Sequence, residues 1–127
     1  MKHLITLAAA LIFSVATISA QSINELPRTI YSQEWKAGHI QGIAVDAKKG
    51  HIYYSFTTML IKAYLQGNII GTVKGLLGHL GCIEFNEEDG RIYGSLEYKN
   101  DSIGRGILQQ ENTSKHWDSA FYVAIST

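Results

Sequence analysis

The sequence predicts an all-β fold assembled from repeated four-stranded antiparallel sheets. Two observations carry that expectation. Residues 39–56 (HIQGIAVDAKKGHIYYSF) return without a gap, forty positions later, as residues 79–96 (HLGCIEFNEEDGRIYGSL). Six of the eighteen positions are identical, namely His39/His79, Ile43/Ile83, Gly50/Gly90, Ile52/Ile92, Tyr53/Tyr93 and Ser55/Ser95, where ordinary residue usage would match about one. From Gln41 onward, the segments between turns are also short and rich in β-branched and aromatic residues, as strands are. A period of about 40 residues built from short strands is the signature of β-propeller blades.

The elements follow in order. Residues 1–20 read as a secretory signal peptide: Met1-Lys2-His3 is a short positive start, residues 4–16 are apolar, and Ala20 is a small residue at the expected cut. Residues 4–20 are too few, and too diluted by Thr6, Ser14, Thr17 and Ser19, for a strongly apolar membrane span of about 20 residues. The chain is therefore expected to be exported, to the periplasm or the extracellular space. Residues 21–38 form a mixed lead-in, with a short strand expected over 28–32.

The first blade occupies residues 39–78. QGIAVD (41–46) and HIYYSF (51–56) are strands around a polar turn ending at Gly50. LIKAYL (60–65) and IIGTV (69–73) follow around Gln66-Gly67-Asn68, in which Gly-Asn is a pair suited to tight hairpins. The second blade, residues 79–127, repeats the first two strands at 81–86 and 91–98. It is then interrupted at about 99–119 by a polar, glycine-containing insertion with a helical turn near 107–111. FYVAIS (121–126) reads as the next strand. The whole is about one and a half to two blades, an incomplete propeller. Propellers close with about 4 to 8 blades, so the sequence reads as the N-terminal portion of a longer propeller, with a ring of several copies as the alternative.

Composition excludes some functions. Without residues 1–20, ten basic and eleven acidic residues remain, and no basic block appears. Nucleic acid and anionic membrane surfaces both need clustered Lys and Arg, so neither is an expected partner. Cys82 is the only cysteine, so no disulfide staples the fold. Its place on an apolar strand, without positive neighbours, reads as a small buried position rather than a nucleophile.

His39 and His79 are the catalytic candidates. They stand at equivalent positions before the inner strands of successive blades, at the rim of a propeller's channel, where imidazoles could act as acid and base or bind metal. A role in the crossover turn, recurring in each blade, is the competing reading. Tyr98 and Trp117 are the ligand-binding candidates, as aromatics beside the irregular insertion. The acidic turn 86–90 lacks calcium-loop spacing, because Phe85 stands where the first Asp would be. Its counterpart 46–50 is cationic, so both read as solvated turns. No phosphate loop or Gly-x-Ser-x-Gly elbow is present. No metal or other cofactor is expected.

The stretches GIAVDAKKGHIYYS and IKAYLQGNIIGTVKG resemble blades of the six- or seven-bladed NHL, YVTN and SMP-30/strictosidine-synthase-like propellers. The resemblance covers residues 41–98. It implies the fold and an array that binds a small molecule or protein on its channel face. It also offers a hydrolase or lyase as the alternative, or a purely structural repeat array. The calcium-dependent hydrolases of that group place an acidic ligand before the first inner strand, where this chain has Gly38-His39-Ile40-Gln41-Gly42. In an exporting host, the intact mass of the exported chain should correspond to a start at Gln21. A mass that includes residues 1–20 would contradict the signal peptide.

Overall fold

The computed structural model describes residues 28–115 and 118–127. The expected signal peptide, the first part of the lead-in and Trp117 lie outside the described residues. Strands β1 (Ile40–Asp46), β2 (His51–Phe56), β3 (Met59–Tyr64) and β4 (Ile69–Val73) pair in chain order as a four-stranded antiparallel sheet. Strands β5 (His79–Asn86), β6 (Arg91–Tyr98) and β7 (Ala120–Ser126) form a second, three-stranded one. One helix, α1 (Ser102–Gln110), stands between β6 and β7.

The sequence repeat is also a repeat of hydrogen-bonded geometry. In the first sheet Ile43 faces Tyr54, Val45 faces Ile52 and Asp46 faces His51. In the second, Ile83 faces Gly94, Phe85 faces Ile92 and Asn86 faces Arg91, each forty positions on. Both pairings carry a bulge at the same place. Residues 41–42 share the space opposite Ser55, and residues 81–82 the space opposite Ser95. A bulge kinks its strand and is a built feature rather than a defect. The turns match too: Asp46 Oδ1 accepts from Lys49 N at 3.0 Å, Asn86 Oδ1 accepts from Glu88 N at 2.9 Å, and Gly50 and Gly90 have φ of 65° and 71°.

The repeat breaks only at the third strand. Ala63 pairs with Ile52, whereas Ser126 pairs with Ile92, so the third strand lies 63 positions on and 23 residues are inserted. The insertion holds α1. Its start is five residues earlier than the turn expected at 107, because Asp101 caps it: Oδ1 accepts from Ile103 N at 3.0 Å and Gly104 N at 2.9 Å. No strand forms over 28–32. Ile30 and Trp35 instead pack on the face of the first sheet, with Ala37 buried among Ile52, Tyr54, Phe56, Met59 and Ile61.

The two sheets stack. Strand β2 is covered on both faces, by the lead-in on one side and the second sheet on the other, which is why five of its six residues are buried. Between the sheets, Ala44, Tyr53 and Leu60 meet Leu80 and Ile92, flanked by Ile83, Phe85 and Leu96. The rings of Tyr53 and Phe85 lie stacked, 5.9 Å apart and 12° from parallel. The approach is closest at β1 and β5. Toward β4 and β7 the sheets part around an apolar cavity of about 150 Å³, lined by Leu60, Val73, Leu76, Leu80, Ala124 and Ile125 among others.

At the close end the contact is backbone to backbone. A Cβ on Gly42 would lie 2.9 Å from Ile83 N and 3.1 Å from Cys82 Cα. Fully buried Ser55 donates from Oγ to the Gly81 carbonyl at 2.6 Å, and Leu80 N donates to the Thr57 carbonyl at 2.8 Å. Cys82 itself is exposed. The bulge turns its side chain away from the joint, so the sequence expectation of a buried thiol does not hold.

Ser55→Ala should lower unfolding stability by about 1–3 kcal/mol, since it strips the Gly81 carbonyl of a buried donor. Gly42→Ala should cost about 1–3 kcal/mol by overpacking the joint. Urea denaturation of both variants measures this, and unchanged midpoints would contradict the described joint.

Candidate functional site

The starts of β1 and β5, the β2–β3 turn and the ends of the insertion gather at one end of the stacked sheets. Thr57 and Thr58 of that turn tie them together: Leu76 N donates to the Thr58 carbonyl at 3.1 Å, and Gln110 Nε2 to Thr58 Oγ1 at 3.2 Å. Helix α1 therefore bridges from the second sheet back to the first. Its start sits so tightly that a Cβ on Gly104 would overlap the Lys99 carbonyl. Only glycine fits there without moving the loop.

His39 and His79 have different surroundings despite their equivalent places in the repeat. His39 is exposed, with its Nε2 3.2 Å from Gln41 Nε2, and Gln41 in turn reaches Thr57 Oγ1 at 3.4 Å. His79 is half-buried, and its Nε2 is sealed from solvent without a hydrogen-bond partner. It lines a cavity of about 30 Å³ together with Glu97, Tyr98, Lys99, Asp101 and Arg105. His79 and Tyr98, singled out for different reasons, thus share one wall, while His39 is not part of it. A cavity that small holds a water or two and not a whole ligand. Tyr98 also stacks edge-on against Tyr122, with centroids 5.6 Å apart.

At the C-terminal end of α1 lies a cleft of about 470 Å³, within the usual range of ligand sites. Trp35, Thr58, Met59, Lys74, Gln110 and Glu111 contribute to its wall. Lys74 Nζ stands 5.1 Å from the centre of the Trp35 ring, a cation over an aromatic face. Trp35 Nε1 donates to the Ser32 carbonyl at 2.8 Å, which fixes the ring. None of these residues is singled out by the sequence. The four segments are far apart in the chain, and no spacing connects them.

Among the described residues, no group of three or more His, Cys, Asp or Glu side chains converges in a way that could hold a metal ion. In the acidic turn Asp89 is engaged locally: its Oδ1 accepts from Arg91 N, and its other oxygen from the Tyr93 hydroxyl. The Tyr93 phenol is raised, chiefly by that bond. With this geometry in view, no protein-family model, curated protein or solved structure matches the chain.

The Asp101 carboxyl is held below its ordinary range, first by the Gly104 N–H and further by the Ile103 N–H. A depressed carboxyl contributes stability above its unfolded value, about pH 4, which is lost as the pH falls through the lower folded value. Helical ellipticity should therefore drop on acidification below about pH 4. Asp101→Asn, which caps without ionising, should remove that part of the drop. An identical acid profile in the variant would contradict the role of the cap.

Proposed function

We propose that this chain is part of an exported β-propeller-type platform that binds a small-molecule or protein ligand at the end where β1 and β5 begin. The carrying observation is the bridging insertion. It interrupts the repeat between the second and third strands, and the end of its helix lies against the β2–β3 turn of the other sheet, walling the Trp35–Lys74–Gln110–Glu111 cleft. Binding loops held by a rigid scaffold are the common way in which a generic fold gains a specific site. The repeated register and bulge, and the stacking with inner strands nearest, support the blade reading and the resemblance to NHL- and YVTN-type arrays. An apolar ring, a cation and a carboxylate at one opening suit a polar ligand with an apolar or ring-shaped body, such as a sugar or a short peptide. The separate surroundings of His39 and His79 favour binding over a shared catalytic pair.

Titrating the full exported chain with defined panels of mono- and disaccharides and of short peptides, followed by amide NMR, tests this. Shifts should concentrate at residues 34–37, 58, 74–75 and 110–111. Trp35→Ala and Lys74→Glu should each weaken the binding about tenfold, a loss of the size of one aromatic or charged contact. Absence of any such shift at millimolar ligand, or shifts unaffected by both substitutions, would overturn the site.

A further inference from the structure

The joint between the two sheets has an unused half on each outer face. On β5, Leu80, Ile83 and Phe85 pack against the Ala44–Tyr53–Leu60 surface of the first sheet. Their equivalents forty positions earlier, Ile40, Ile43 and Val45, lie on the outward face of the first sheet, exposed by 38%, 55% and 46%. The lead-in covers that face over β2 and β3 but leaves this stripe open. At the other end, Tyr53 and Leu60 have their register equivalents in Tyr93 and Val123, on the outward face of the second sheet. There Val123 is 65% exposed, beside exposed Phe121 and Ile125.

The chain thus presents both halves of a joint it has already made once internally. We infer that a second copy of this chain docks head to tail, its Ile40–Ile43–Val45 stripe on the Tyr93–Val123 face of the first. The contact continues the internal interface, and the turns agree with it in charge. Inside the chain, Lys48 Nζ of the β1–β2 turn pairs with Glu87 of the β5–β6 turn at 2.7 Å. In a head-to-tail stack the acidic turn, with Glu88 left over, comes beside the next copy's Lys49. Like-signed turns never become neighbours. Besides Cys82, which stands where the internal joint has Gly42, a second residue opposes the contact: Glu84 stands where that joint has Ala44. It places a carboxylate against the apolar stripe, and an inward-pointing charge of this kind restrains sheet-to-sheet growth.

This inference rests on the blade reading but not on the ligand cleft. Sedimentation velocity of the full exported chain across a wide concentration range is the test. The expected result is reversible association to multiples of the monomer mass. Ile43→Asp should weaken it by about tenfold or more, and Glu84→Ala should tighten it by about tenfold, since one adds and the other removes an unpaired carboxylate at an apolar contact. Lys49→Glu should weaken it, with Glu88→Lys in the same chain restoring it. A strict monomer, in wild type and in Glu84→Ala alike, would overturn the inference, as would association indifferent to Ile43→Asp. Nuclear Overhauser contacts between Ser55 and Gly81 separate the two failures. If they are present in a monomer, only the second copy is lost; if they are absent, the stacked blades themselves are wrong.

Discussion

Everything in this fold depends on how near β1 and β5 can come to each other. Gly42 has no side chain, so the backbone at Cys82 and Ile83 lies against it, and Ser55 beneath them bonds the Gly81 carbonyl. That pairing is possible because the bulges at 41–42 and 81–82 tilt both strands at the same level. A residue of ordinary size at Gly42 would hold the sheets apart, and the stacking of Tyr53 on Phe85 would go with it. The apolar faces supply most of the burial, but the glycine and the bulge decide the distance at which that burial occurs.

A second consequence is the uneven covering of the sheets. Strand β2 has an interior residue on both sides and a near-continuous apolar and aromatic sequence, as a doubly covered strand should. Strand β7 has the same kind of sequence, FYVAIS, yet four of its seven residues, Phe121, Tyr122, Val123 and Ile125, remain more than half open to solvent. The difference lies in neighbours rather than in composition. An exposed strand of that character is unusual for an isolated unit.

Much of this was legible in the residues. Alternation and turn chemistry located all seven strands to within two residues, because turns such as 46–50 and 86–90 fix both ends of each hairpin. The repeat also foretold a shared register. What was not legible came from long-range packing. The stretch 28–32 has strand-like residues, but Ile30 finds its partners on a sheet face and not along an edge. The start of α1 rests on one Asp whose capping role depends on the loop before it, with two glycines in the helix hiding its propensity. The cleft around Trp35 and Lys74 brings together four distant segments, and no local pattern encodes that. His79 and Tyr98 were found one by one, yet only the fold shows that they face the same small space.

The wedge between the sheets has a geometric meaning of its own. Contact is backbone-close on one side and opens to an apolar gap of about 150 Å³ on the other. Two plates joined in that way are rotated with respect to each other, always in the same sense. Any series built by repeating the joint must bend at every step. Its path is an arc, so growth turns back on itself instead of running straight as a fibre does.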